Sequence, residues 1–208
     1  MTVSTSARRP RVPNARPAPV TPAEVKAAAA ELFAVRGYRG TTMRHIAAAL
    51  GIQAPGLYNH VGSKQEILAD IMVGVMTELL EEQRAAVAST TDVVEQVRRI
   101  VESHVRYHCR NQRATFVGNR EIPSLDEPAR SLVIAQRDEF EQTFRSVISR
   151  GVAEGRFAVG SARLASYAIL EMGMGIAGWY REGGEQSESQ VAYEYGEMAL
   201  RILRAPAG

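Results

Sequence analysis

With 208 residues, 45% of them apolar and 23% charged, the chain has the composition of an ordinary globular protein, one or two domains in size. Cys109 is the only cysteine, which excludes a disulfide framework or a cysteine-only metal site within one chain and fits a reducing, cytoplasmic setting. The net charge of +2 conceals an imbalance, for residues 1–66 carry nine basic side chains against three acidic ones and residues 67–208 carry sixteen against twenty.

Residues 1–20 hold four prolines, four arginines and no apolar run, so they read as an extended or disordered basic arm without a signal-peptide core. Thr21, Pro22 and Glu24 then form a helix start of the capping-box kind. Val25, Ala28, Ala29, Leu32 and Phe33 keep helical spacing up to Gly37, a candidate C-cap. A second helix is expected from Thr41 and Thr42, with Met43, Ile46, Ala47 and Leu50 on one face and Gly51 as its stop. A short third helix follows over residues 54–60, turning Leu57 and Val61 inward, with Pro55 tolerated in its first turn. Ser63 to Glu66 reads as another capping box, launching a helix through Ile67, Leu68, Ile71, Met72, Val75 and Leu79.

The remainder also has helical period. Val93, Val97, Ile100, His104, Val105 and His108 form one stripe, and a short helix is expected over residues 114–120 before a break at Pro123. Leu132, Val133, Phe140, Phe144, Val147, Ile148 and Val152 predict a long helix ending at Gly155. Another is expected over residues 162–181, and a last one over 188–203 with Val191, Tyr195, Met198 and Ile202 on one face. The stretch 164–180 is too short and too interrupted by Ser166, Glu171 and glycines to span a membrane. No alternation of β-branched residues is sustained. The fold class is therefore all-α with about nine helices: a basic arm (1–20), a three-helix head (21–66) and a helical body (67–208).

The window 42–64 carries the function. A helix, a glycine corner and a short helix have the spacing of a helix-turn-helix, whose second helix enters the DNA major groove while the first crosses the backbone, although the helices alone also fit a plain αα-hairpin. The groove shows a distinguishable edge for each base pair, so the outer face should be polar, small or aromatic. Gln53, Ala54, Gly56, Tyr58, Asn59 and His60 supply such a face, and Leu57 anchors the other side. The basic charge of residues 1–66 suits the same polyanion. Whether the arm lies over the phosphates, enters a minor groove or adds nothing stays open.

Gly40-Thr41-Thr42-Met43-Arg44-His45-Ile46-Ala47, followed by Gly51 through Lys64, resembles the DNA-binding signature of the TetR family, with similarity from about Val25 to Leu68. The segments Gly151 to Phe157 and Trp179-Tyr180-Arg181 resemble the family more loosely. The resemblance implies that Thr42, Tyr58, His60 and Lys64 hold phosphates. It implies that Arg44, Gln53, Ala54, Gly56 and Asn59 face base edges. Gln53, Asn59 and Val61 depart from the commoner pattern, the first two bearing on operator sequence and the last on packing. The resemblance further implies a small-molecule cavity in the body and a homodimer straddling a palindromic operator. The last two long helices are the expected dimer interface.

Several body residues bear on that cavity. His104 and His108 are four apart, a spacing that can bind zinc, but Cys109 is rotated about 100° around the helix and no third ligand is evident. No metal and no cofactor are therefore expected. Phe116, Met172, Met174 and Trp179 either line a cavity or fill the core, and Arg120 and Arg113 beside Phe116 leave room for an anionic, largely apolar effector such as an acyl thioester. Gly173 to Gly178 matches a dinucleotide-binding fingerprint, which the absence of a preceding strand rejects. These glycines are expected instead to thin a helix at a close contact, with a dimer partner as one candidate. Two other classes are compatible with the composition: a surface-adaptor protein recruited by its basic arm, and a small helical enzyme using His104 or His108 as base. The enzyme reading lacks a nucleophile, a metal set and a phosphate loop.

Overall fold

The computed structural model describes residues 20–204, and among these there is no strand. The basic arm expected over residues 1–20 lies outside them but for Val20. The helices are α1 (Pro22–Arg36), α2 (Met43–Ala49), α3 (Ala54–Leu57), α4 (Lys64–Ala88), α5 (Val93–Arg110), α6 (Gln112–Arg120), α7 (Ala129–Ala153), α8 (Ala162–Met174), α9 (Ile176–Trp179) and α10 (Glu188–Ile202). A 3-10 turn, Ile122–Ser124, joins α6 to α7. Counting the single turn α9 with α8, the described residues make nine helices.

Local chemistry sets most of the helix starts. Thr21 and Glu24 form the reciprocal capping box, with Pro22 in the first turn, and Gly37 ends α1 at φ +74°. Thr42 caps α2, and His45 completes the box by accepting the Thr42 N–H through Nδ1 at 3.3 Å. Ser63 caps α4, but the Glu66 carboxylate accepts from the Gly62 N–H at 2.6 Å instead of from Ser63, so the box expected there is not reciprocal. The third helix is also shorter than expected. After Leu57 the chain tightens, with the His60 N–H bonded to the Leu57 carbonyl three residues back at 2.9 Å.

Packing joins head and body. One apolar core runs from Val25, Phe33, Ile46 and Leu57 of the head along α4 to Tyr107, Val117 and Phe140. A second unites α5, α7, α8 and α10 through Val97, Ile100, Phe144, Ile148 and Leu200. At 25 residues α4 is about 37 Å long, enough to reach from the head deep into the body.

The amphipathic stripes differ from expectation at their margins. Leu132 and Val152 of α7 are 49% and 39% exposed, while Val133, Phe140, Phe144, Val147 and Ile148 are buried. On α10 the buried face is Val191, Ala192, Gly196, Ala199 and Leu200; Tyr195 and Met198 sit at its edge and Ile202 is exposed. Small residues win there because α10 packs closely on α5: a Cβ at Gly196 would already touch the stems of Glu102 and Arg98 at 3.4 and 3.5 Å. The helix expected over 162–181 is interrupted at Gly175. At the end of α7, Phe157 lies over Gly151 so closely that a Cβ there would meet its ring at 2.2 Å, which accounts for the Gly151–Phe157 segment as packing. Among the described residues no helix is long and apolar enough to cross a membrane.

Candidate nucleic-acid interface and ligand cavity

The head sorts its side chains as a groove-reading helix requires. Leu57 and Val61 are buried, whereas Gln53, Tyr58, Asn59 and His60 are exposed and Ala54 and Gly56 half-exposed. Gln53 stands at the N-cap of α3 without spending its amide on a capping bond, so its donors and acceptor are free. No atom lies within 4 Å of where a Gly56 Cβ would be, leaving room for close approach from outside. Thr42 and Arg44 are exposed at the start of α2, and the Thr42 hydroxyl, which accepts from His45, keeps its own proton for a phosphate oxygen.

Lys64 is engaged within the protein. Its Nζ donates to the carbonyls of Tyr38 at 2.9 Å and Thr41 at 2.8 Å and lies 4.1 Å from the centre of the Tyr38 ring. Those bonds tie the start of α4 to the turn before α2. One donor of the ammonium remains for a partner outside.

Within the body, α4, α5, α6, α7 and α8 surround a cavity of about 210 Å³. Its apolar wall includes Met72, Met76, Leu79, Phe140 and Leu170, and its polar wall includes His104, His108, Asn119 and Arg137. A second hollow of about 320 Å³, lined by Phe116, Arg120 and Gly178, shares Asn119, Arg137, Glu171 and Met174 with the first. His104, His108 and Met174 therefore stand at the first cavity, and Phe116 and Arg120 at the second. Met172 and Trp179 line neither; Trp179 is 47% exposed and stacks beside Tyr195.

The cavity's electrostatics follow from burial. His108 donates from Nδ1 to the His104 carbonyl at 2.9 Å, because a carbonyl can only accept. Burial pushes the His108 pKa down to about 4, with Arg137 adding repulsion against the pull of that bond. Burial pushes His104 well below its ordinary value, with repulsion from His108 and Arg137 adding to it. Both rings are consequently neutral at pH 7. Arg137 is also held down by burial, opposed by Glu171. Among the described residues no carboxylate comes within 4.0 Å of its guanidinium, and its Nη2 faces the Met174 sulfur at 3.1 Å. No group of three or more His, Cys, Asp or Glu side chains among the described residues is placed to hold a metal ion.

Arg137, Asn119 and Glu171 did not emerge from the sequence. Arg137 carried a usable signal, since it lies four residues after Val133 and three before Phe140, a charge on the buried stripe of α7.

A strap connects cavity and head. α6 lines the cavity with Thr115, Gly118 and Asn119 and ends beside Glu121, whose carboxylate accepts the Tyr38 N–H at 3.2 Å. Beyond it, Gln65 of α4 donates to the Ser124 carbonyl at 2.6 Å and accepts from the Asp126 N–H at 3.2 Å. Arg113 pairs with Glu31 of α1 at 2.8 Å, although both are exposed and the pair adds little stability.

Residues 26–71 match the family model described as bacterial regulatory proteins, tetR family, and residues 90–203 match that of the tetracyclin repressor-like C-terminal domain. The HTH-type transcriptional repressor KstR2 of Rhodococcus jostii is 30% identical over 180 residues, 86% of this chain and 88% of the relative. Among solved structures, the ketosteroid transcriptional regulator KstR2 of Mycobacterium tuberculosis superposes with a TM-score of 0.84 at 26% identity, covering 89% of this chain and 95% of that one. The TetR-family regulator PfmR of Thermus thermophilus gives 0.77 at 33% identity over 88% of this chain and 99% of that one.

Proposed function

The chain belongs to the TetR family of bacterial regulatory proteins, and on that premise we propose how its residues divide the work of a ligand-responsive DNA-binding repressor. Residues 21–66 form the DNA-reading head, residues 67–208 the effector-binding and dimerisation body, and residues 1–20 are a basic arm in sequence. Tyr58, His60, Thr42 and the remaining donor of Lys64 hold phosphates. Arg44, Gln53, Ala54, Gly56 and Asn59 meet base edges in the major groove. The observation that carries this reading is the sorting of one short segment: every polar side chain from Gln53 to His60 is exposed, while Leu57 and Val61 are buried.

Two copies would place two heads on a palindromic operator, with half-sites one helical turn or a multiple apart. The exposed side of α8 and α10, with Leu164, Tyr167 and Tyr193 open to solvent, supports an interface between copies at those helices.

The effector we propose is largely apolar with one anionic end, the apolar part among the α4 methionines and the anion near Arg137 and Arg120. A methionine-rich apolar wall beside a buried guanidinium that, among the described residues, has no carboxylate within 4.0 Å supports that chemistry. Filling the cavity displaces α6, and the bonds at Glu121 and Gln65 carry the displacement to the head. The effector releases DNA only to the extent that it prefers the displaced arrangement.

The test is fluorescence anisotropy of the full chain on duplex DNA from upstream of its own gene. Sequence-specific binding that weakens steeply with salt, and that an apolar organic acid reverses, supports the reading. Binding indifferent to sequence would favour the surface-adaptor alternative and overturn it.

A further inference from the structure

Among the described residues, His104 is the one side chain of the cavity wall whose polar atoms are all buried and all without a partner in hydrogen-bond geometry. The residue is 6% exposed, and among the described residues neither Nδ1 nor Nε2 has a partner in hydrogen-bond geometry. The Leu170 carbonyl pulls weakly on its proton but falls outside hydrogen-bond geometry. A buried donor or acceptor left outside hydrogen-bond geometry is unfavourable, and this ring has one of each. Its position is held from several sides. The His108 ring lies 4.3 Å away centre to centre, Phe140 lies 5.4 Å away, and Gly173 of α8 comes so close that a Cβ there would sit 2.6 Å from Cδ2. Packing has thus set a neutral donor–acceptor group at the cavity wall, among Met72, Val75, Met76 and Leu79, with no partner in hydrogen-bond geometry among the described residues.

We infer that His104 is a specificity-determining residue for the effector, hydrogen-bonding a hydroxyl or carbonyl oxygen within the ligand's otherwise apolar body. This rests on the effector cavity proposed above and adds a second polar point to the ligand, apart from its anionic end. A saturated hydrocarbon acid would fill the cavity but leave His104 as it is. An oxygenated ring or chain would satisfy it. A site built to bond such an oxygen discriminates strongly against the analogue lacking it, because the group is then buried unpaired.

The experiment uses the full chain and two matched series of probes: ω-(4-oxocyclohexyl)alkanoates and ω-(4-methylenecyclohexyl)alkanoates, each with two to five methylenes in the acid arm. The members of a pair share shape and charge and differ only in oxygen against CH2. Calorimetry should find the oxygenated member of the best-fitting pair bound about tenfold more tightly, the factor to which about 1.4 kcal/mol corresponds. Nitrogen NMR of labelled histidine should show the His104 ring responding to that member and not to its partner. In His104→Phe the preference should vanish or reverse, and in His104→Gln part of it should return, while Arg137→Ala should weaken both series alike. Equal affinity for the two series in the wild-type protein, or a preference that survives in His104→Phe, would overturn the assignment and leave the cavity reading standing. If no member of either series binds the wild-type chain, the anion-holding cavity itself is wrong and the assignment falls with it.

Discussion

Lys64 reaches back 26 positions to donate to the carbonyl of Tyr38 at 2.9 Å and to lie over that residue's ring. With the second bond to Thr41, this ammonium closes the frame that holds α2 against α4. Lys64→Ala should therefore cost about 1.5–3 kcal/mol of stability, the range for hydrogen bonds to a charged group. Chemical denaturation followed by circular dichroism measures it. A variant as stable as the parent would mean that the two carbonyls find water equally well.

Tyr58 and Asn59 offer the contrasting case. Both are exposed and neither packs in the core, so substitution should leave stability within about 0.5 kcal/mol. Tyr58→Phe should weaken operator binding by a similar factor on every sequence. Asn59→Ala should cost about 1–3 kcal/mol on the preferred operator and relax the choice of one base pair. Anisotropy against a set of singly substituted operators separates the two. Because Lys64 supports the fold, these two positions test the DNA-reading surface more cleanly than any variant set that includes it.

The head was legible in the sequence because its signals are local. Thr21 with Glu24, Thr42 at its cap, Gly37 and Gly51 at positive φ each act within four residues, and each stands where the sequence put it. The cavity was not legible for the converse reason. Met72, Val75, Met76 and Leu79 repeat at helical spacing whether they meet another helix or an empty space, so periodicity cannot separate wall from core. Arg137 shows what such a wall does betray, a charge among buried neighbours. The shift of the buried face on α10 from Tyr195 and Met198 to Gly196 and Ala199 depended on how closely α5 approaches, a tertiary fact.

Acid should unfold the body in a window above that of its carboxylates. His108 has an ordinary pKa of 6.5 and is pushed down to about 4 in the folded chain; His104 is pushed down as well. Below pH 6.5 the unfolded chain takes up protons that the folded chain refuses, so this stability is full above 6.5 and is lost as the pH falls toward 4. For His108 alone the loss approaches about 3 kcal/mol, from roughly 1.4 kcal/mol per pKa unit. Denaturation midpoints at pH 7, 6, 5 and 4 should fall steadily in the parent and stay flatter in the His104→Gln/His108→Gln variant. Equal slopes would assign the loss to other groups.

Communication between cavity and head should depend on Gln65. Its amide is the link that both donates to Ser124 and accepts from Asp126 across the junction. Gln65→Ala should leave operator affinity and effector affinity each within about threefold, yet reduce the effector's ability to release DNA by about tenfold, since coupling energies are typically 1–3 kcal/mol. Measuring DNA affinity with and without saturating effector gives the coupling directly. Undiminished coupling would shift the burden to the bond between Glu121 and Tyr38.

Gly173 should reverse its sign with His104. In a helix interior, replacing glycine by alanine ordinarily gains about 0.8–1.0 kcal/mol. Here the new methyl would fall 2.6 Å from His104 Cδ2 and 3.0 Å from Nε2, and His108 and Phe140 leave that ring little room to withdraw. Overpacking of this kind costs about 1–3 kcal/mol, so Gly173→Ala should be net destabilising by about 1 kcal/mol. With His104→Ala already in place the obstruction is gone, and the same substitution should become stabilising by the full propensity gain. The double-mutant cycle, read by urea denaturation of all four proteins, isolates the contact from every other effect of either change. If Gly173→Ala stabilises both backgrounds equally, the close approach of α8 to α5 at this point is not what requires the glycine.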